Sequence, residues 1–169
     1  MGTTSIQGGR QNTVDIQTEA IFPTSRDRLW QLLAWHQEEA RLREIHPAIL
    51  TDRVAEAGPD VRYRGLAFAS YSLHERTATS KRGEWQAIWR YDRVPPERLR
   101  IEIQESSGLL GSGTYWENAY HEAAGGTRIE TEGRLVLSGV SPSKRDSLAD
   151  GILSRIDEED LRYLKRRGL

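Results

Sequence analysis

The feature that most constrains the fold is a long central stretch, residues 49–137, that lacks any helical period. Turn-forming residues return there about every 10 to 20 positions, and the segments between them alternate apolar with polar side chains. Residues 128–137 show the pattern best, since Ile129, Thr131 and Leu135 fall on one face and Arg128 and Glu130 on the other. This pattern predicts an antiparallel meander of about six strands. One face of the sheet is polar and faces solvent, and the apolar face must pack against another element.

The segments on either side of this stretch are predicted to form one more strand, two short helices and a long helix that packs against the apolar face of the sheet. Residues 14–22 alternate like a half-buried strand, and Pro23 ends it. Two short helices are predicted next, one around residues 29–33 and one over residues 38–45 that Pro47 terminates. After the start signals at residues 141–143, a helix of about 24 residues is predicted. Its apolar stripe is marked by Leu148, Ile152, Ile156, Tyr163 and Leu164. This helix is expected to close the sheet.

Length and composition predict one domain and exclude several classes of function. A chain of 169 residues is one domain in size, predicted over residues 13–169, with residues 1–12 as a flexible N-terminal tail. The 24 basic and 25 acidic residues leave no overall field that would gather nucleic acid or anionic lipid. No run of 18 apolar residues and no signal sequence is present, so we expect a cytoplasmic protein without integral membrane association.

The absence of cysteine excludes disulfides, thiolate chemistry and cysteine-ligated metal. The four histidines, His36, His46, His74 and His121, show none of the close spacings of a helical zinc site. We therefore expect no metal and no cofactor. The oligomeric state is left open.

Four short segments carry a resemblance to a known superfamily. They are Ile-Phe-Pro-Thr-Ser-Arg-Asp-Arg-Leu-Trp at 21–30, Tyr-Asp-Arg-Val-Pro-Pro-Glu-Arg-Leu at 91–99, Gly-Gly-Thr-Arg-Ile at 125–129 and Asp-Leu-Arg-Tyr-Leu-Lys at 160–165. Together with the order of elements, they resemble the START-like superfamily, also called SRPBCC or Bet v 1-like, over residues 14–167. The resemblance implies an α+β helix-grip fold: a seven-stranded antiparallel curved sheet wrapped around a long C-terminal helix, with two short helices after the first strand. It also implies a cavity between sheet and helix that relatives use for apolar ligands.

Side-chain parity predicts which residues line that cavity, because residues two apart on a strand share a face. We expect the aromatic positions of strand 85–94 to point inward. On the next strand Leu99, Ile101 and Ile103 point inward, and the same parity carries Glu105 inward with them. A simple two- or four-residue turn at Pro95-Pro96 would pair Ile103 with Ile88 or Arg90, so this parity requires a bulge there. A two-residue turn at Gly125-Gly126 would pair residue 124 with residue 127. The side chains of Trp116, Asn118 and Tyr120 would then point inward, on the same face of the sheet as those of Ile129, Thr131 and Leu135. The predicted ligand-binding residues are Trp85, Trp89, Tyr91, Ile103, Trp116, Asn118, Tyr120, Ile129 and Ile152.

Three functions remain open, since this superfamily has no shared catalytic motif. The first is binding of a small hydrophobic molecule, aromatic, acyl or lipid-like, in the cavity. The second is a cofactor-independent enzyme of the polyketide cyclase or dehydratase type, in which Glu105, His74 or Tyr120 would move protons. The third is a protein-interaction module like the chaperone activators of the superfamily, which would need an exposed apolar patch on the sheet.

Overall fold

The computed structural model describes residues 2–5, 12–34 and 39–169 and confirms the predicted helix-grip architecture. Its strands are β1 (Gly2–Ser5), β2 (Thr13–Phe22), β3 (Ile49–Ala57), β4 (Asp60–Tyr63), β5 (Leu66–Ala69), β6 (Tyr71–Ser80), β7 (Gly83–Val94), β8 (Arg98–Ser106), β9 (Tyr115–Ala123) and β10 (Gly126–Val136). The main sheet is antiparallel in the order β1-β2-β10-β9-β8-β7-β6-β3. Seven of these strands are the predicted ones, and β1 extends one edge.

The helices also follow the predicted order. α1 (Arg26–Leu29) continues into a π-helical turn (Trp30–Ala34), α2 spans Glu39–Ile45, and α3 spans Arg145–Arg166 after a short 3-10 turn (Pro142–Lys144). The predicted start of the second helix at residue 38 lies outside the described residues. Tyr163 and Leu164, on the predicted apolar stripe of α3, are buried in the core formed with the sheet. Among the described residues, no helix combines the length and apolar character needed to cross a membrane.

The register between β7 and β8 places the aromatic side chains of β7 inward, but not through a bulge at the prolines. Val94 pairs with Arg98 across a three-residue turn, so Trp89 opposes Ile103 without any insertion. Because this turn has an odd number of residues, the aromatic side chains of β7 point inward without the bulge that was expected at the prolines. The register shift lies instead at the end of the β7–β8 pair that is far from the prolines. There Trp89 pairs with Ile103 and the preceding Ile88 pairs with Glu105, so β8 has one extra residue between the two pairs. This shift turns Glu105 away from the core.

The turn between β9 and β10 is displaced by one residue from the prediction. Ala123 pairs with Gly126, so the turn residues are 124 and 125. Cross-strand pairs therefore differ by two positions, and Tyr120 opposes Ile129. A two-position difference preserves which face each side chain occupies. The predicted inward face of β9 is consequently correct.

Two further elements were absent from the sequence prediction. Residues 2–5, within the predicted tail, form β1 and pair with β2; Met1 and residues 6–11 lie outside the described residues, so flexibility there stays a prediction, as does the boundary at residue 13. The strands β4 and β5 form a separate hairpin inserted between β3 and β6. Its tip contacts Asp27 of α1 through Tyr63 and Arg64, so the hairpin is anchored to the helical end of the fold.

Candidate functional site: a two-lobed cavity

The space between the sheet and α3 is divided into two lobes. The β2 lobe, of about 160 Å³, lies under β2, β9 and β10 and is lined by residues that include Thr18, Glu19, Asn118, Tyr120, Ile129, Thr131, Asp157 and Asp160. The β7 lobe, of about 170 Å³, lies under β6 and β7 and is lined by residues that include Arg76, Ala78, Trp85, Trp89, Tyr91, Leu109, Leu110, Ile152, Arg155 and Glu159. Four residues line both lobes, and we call this set the waist: His46, Ile101, Trp116 and Ile156.

The β7 lobe has an aromatic wall. The rings of Trp89 and Tyr91 stack with an interplanar angle of 16° and a centroid distance of 6.5 Å. Trp116 meets Trp89 edge to face at 5.7 Å. The guanidinium carbon of Arg76 lies 4.5 Å from the centre of the Trp89 ring, which is cation–π distance. The lobe can therefore hold a flat apolar group and offers one buried cation beside it.

The β2 lobe is more polar. Thr131 Oγ1 donates a hydrogen bond of 2.7 Å to Asn118 Oδ1, and the hydroxyl of Tyr120 also hydrogen-bonds Asn118. Burial raises the pKa of Tyr120, so the phenol stays protonated. Burial also raises the pKa of Asp160 from 3.8 to about 6; the neighbouring Asp157 acts in the same direction, and His46 opposes it. This lobe thus presents hydrogen-bonding groups and a carboxyl that titrates near neutral pH.

At the waist, His46 connects α2 with α3. The residue follows α2 directly, and its Nδ1 lies 2.6 Å from Glu159 Oε2. A carboxylate only accepts hydrogen bonds, so Nδ1 is the donor. Nε2 lies 3.7 Å from Asp160 Oδ1, which is too long for a hydrogen bond. Since Glu159 lines the β7 lobe and Asp160 the β2 lobe, His46 stands between an acidic group of each.

A buried polar network lies behind the aromatic wall. Asp52 on β3 accepts from His74 Nδ1 at 2.7 Å and from Arg76 Nε at 2.9 Å, and Arg76 Nη2 donates to the Tyr91 hydroxyl at 2.7 Å. Burial by itself would raise the pKa of Asp52, but the hydrogen bond from His74 and the charge of Arg76 outweigh it and lower the pKa. The network therefore keeps Asp52 ionised and holds Arg76 against the Trp89 ring.

His74 belongs to this network and does not contact the cavity. Its Nε2 lies 2.8 Å from Ser72 Oγ, so the chain of contacts from Asp52 through His74 to Ser72 has the connectivity of a nucleophile triad. However, Ser72 and His74 are fully buried, and none of the three residues lines either lobe. Both ring nitrogens of His74 are engaged, which suits a structural role better than the predicted catalytic one.

The structure brings most of the predicted ligand-binding residues together. Eight of them line one or both lobes, namely Trp85, Trp89, Tyr91, Trp116, Asn118, Tyr120, Ile129 and Ile152. Ile103 is fully buried in the core and lines neither lobe. Glu105 is exposed, so the expectation that its carboxylate points inward is wrong; the shift at Ile88 reverses its face. Whether the lining residues bind a ligand remains a prediction.

Sequence reasoning did not select His46, Asp160, Arg76 or Asp52 as site residues. Arg76 had a detectable signal, because it is the charged member of the inward series Ser72, His74, Arg76 on β6. Asp52 becomes its neighbour only through the register of β3 with β6, where the two residues pair directly. The approach of His46 to α3 depends on how the helices pack, which no local pattern encodes.

Comparison with known proteins agrees with this architecture, which is the Bet v 1-like helix-grip fold. No protein-family model and no curated protein sequence matches the chain. Among solved structures, it is similar to the di-domain aromatase/cyclase BexL of the BE-7585A biosynthetic pathway (TM-score 0.68, 13% identity, 94% of this chain and 50% of that one). It is also similar to the Zhui aromatase/cyclase from Streptomyces (0.65, 12%, 89% and 90%) and to Ara h 8.0201 (0.62, 13%, 90% and 99%). The chain thus spans about half of the di-domain protein, and identities this low establish the fold alone.

Proposed function

We propose that the protein binds a small, flat, largely apolar molecule, aromatic or acyl in character, in the two-lobed cavity. The observation that carries the proposal is the aromatic wall of the β7 lobe, in which Trp89 stacks with Tyr91 and meets Trp116 edge to face. Apolar walls with a few fixed polar groups are typical of small-molecule sites. Arg76 in one lobe and Asn118 in the other supply such groups.

The binding test uses 8-anilinonaphthalene-1-sulfonate, a flat aromatic probe whose fluorescence rises in apolar surroundings. We expect saturable binding by the wild type and an affinity at least about tenfold lower in Trp116→Ala, equivalent to about 1.4 kcal/mol. Trp30→Phe is the control, because Trp30 is fully buried in the core and lines neither lobe. Equal affinities of Trp116→Ala and the wild type would count against the cavity as the binding site.

An enzyme of the polyketide cyclase or dehydratase type is the second candidate. Its support is the likeness of fold to aromatase/cyclases, together with a cavity that could fold a substrate between its walls. Turnover of a polyketide-like substrate by the purified protein, lost in Trp116→Ala, would favour it over simple binding.

The interaction-module alternative has less support from the outer surface. Among the described residues, the exposed large apolar side chains are Ile21, Val54, Val94 and Leu161, which come from four different elements. The outer face of β8, β9 and β10 carries ion pairs instead, such as Arg100 with Glu117 and Arg128 with Glu130. A charged face of this kind does not provide the apolar patch that a docking partner would cover.

A further inference from the structure

We propose that His46 is a general base that removes a proton from a ligand lying across the waist of the cavity. This inference rests on the proposed binding function and narrows it to ligands with an acidic C–H group next to a carbonyl or a similar electron-withdrawing group. Nothing in the local sequence around His46 points to such a role. The argument comes from where the ring lies and what each of its nitrogens contacts.

The first step concerns access. His46 lines both lobes, and its side chain is 20% exposed. It carries the only imidazole among the described residues that line the cavity. A ligand that extends from one lobe into the other passes the waist, which this ring lines together with Ile101, Trp116 and Ile156. By comparison, His74 is fully buried behind the aromatic wall, and His121 lies on β9 beside Glu130, outside both lobes.

The second step concerns the tautomer. Glu159 accepts the proton of His46 Nδ1 at 2.6 Å, so Nε2 of the neutral ring carries the lone pair. Nε2 has no hydrogen-bond partner within 3.5 Å among the described residues, because Asp160 lies 3.7 Å away. A carboxylate on one nitrogen and a free lone pair on the other is the arrangement that prepares an imidazole to accept a proton.

The third step concerns charge. When Nε2 takes the proton, the bond from hydrogen to the ligand breaks, and its electron pair moves to the adjacent carbonyl to form an enolate. The resulting imidazolium lies between Glu159 and Asp160, which stabilise its positive charge. Where a carbon–carbon double bond is conjugated with the enolate, return of the proton to the far carbon of this dienolate moves the double bond and completes an isomerisation without any further reactant. The charged side chains that share the cavity with His46 are Glu19, Asp157, Asp160, Arg76, Arg155 and Glu159.

The test uses 5-nitro-1,2-benzisoxazole, a flat aromatic compound that reports on a base in an apolar site. Removal of its ring C–H forms a nitrile, breaks the N–O bond and releases a coloured phenolate, so atoms and electrons balance without a cofactor. We expect the wild type to eliminate this probe with saturation kinetics. His46→Gln should lower kcat/KM about a hundredfold or more, with KM changed less than about threefold.

Two controls separate a catalytic effect from a structural one. His121→Gln removes the surface histidine that also faces a glutamate, and it should leave kcat/KM unchanged. Glu159→Gln should lower kcat with KM changed less than about threefold, because the imidazolium loses its carboxylate partner. Glu130→Gln should leave both constants unchanged. Circular dichroism and cooperative urea denaturation confirm that each variant is folded.

The outcomes distinguish this inference from the proposed function. Saturable binding of both probes without turnover would overturn the role of His46 and leave the binding function standing. A rate in His46→Gln within threefold of the wild type, or a kcat that Glu159→Gln does not lower, would likewise overturn it. If neither probe binds, the proposed function and this inference both fail.

Discussion

The carboxyl group of Asp160 should make the protein less stable as pH rises from about 4 to about 6. Its pKa is raised from 3.8 to about 6 in the folded protein, mainly by burial beside the β2 lobe. The folded state therefore binds more protons than the unfolded state over this range, so the free energy of unfolding falls as pH rises. A carboxyl whose pKa is lowered on folding has the opposite effect. Each unit of difference corresponds to about 1.4 kcal/mol, so the penalty is at most about 3 kcal/mol at pH 7. It should be below about 0.6 kcal/mol at pH 4.

Asp160→Asn tests this directly, because the amide resembles the protonated carboxyl and carries no charge. Urea denaturation followed by circular dichroism should show the variant to be more stable than the wild type by about 2 to 3 kcal/mol at pH 7 and nearly equal to it at pH 4. Glu158→Gln removes the same charge from an exposed position of α3 and should change stability by less than about 0.5 kcal/mol at either pH. An Asp160→Asn variant that is no more stable at pH 7 than at pH 4, relative to the wild type, would refute the reasoning.

Four further predictions concern packing and the outer surface. Asp52→Ala should cost about 3 to 5 kcal/mol in urea denaturation, because it leaves the buried guanidinium of Arg76 without its carboxylate. Gly151→Ala should raise the free energy of unfolding by about 0.5 to 1 kcal/mol, and the thermal midpoint with it, because an added Cβ on α3 meets nothing within 4 Å. Gly133→Ala should destabilise the protein, because the Cβ would lie 2.2 Å from a backbone oxygen of β9. Glu105→Gln should leave the affinity for 8-anilinonaphthalene-1-sulfonate and the elimination rate of the benzisoxazole unchanged, since its side chain is exposed. A lower affinity or a lower rate would show that Glu105 takes part in the site.

The fold could be predicted because its signals are local and repeated along the chain. Alternation marked the strands, turn residues separated them, and a stripe on the last helix identified the cover of the sheet. The inward faces of β7 and β9 followed from the same parity, even though each turn differed from its expected form. The β9–β10 register differs by two positions, which preserves parity, and the three-residue turn between β7 and β8 gives the same parity as the expected bulge. The aromatic wall therefore lies where it was predicted.

The polar part of the site could not be predicted in the same way. Glu105 was assigned inward because parity was extended past Ile103, but the sheet register changes between these two residues. His46 and Glu159 are distant in sequence and meet only because α2 packs near α3. Contacts of this kind depend on tertiary packing, which side-chain periodicity does not determine.

The most direct test of the binding proposal is to fill the waist from the helix side. Ile156 on α3 lines both lobes, whereas Leu161 on the same helix is 44% exposed. Isothermal titration with 8-anilinonaphthalene-1-sulfonate should show binding by the wild type and by Leu161→Trp, and affinity at least tenfold weaker in Ile156→Trp. Unchanged affinity in a folded Ile156→Trp variant would place the probe elsewhere and contradict the assignment of this cavity as the ligand site.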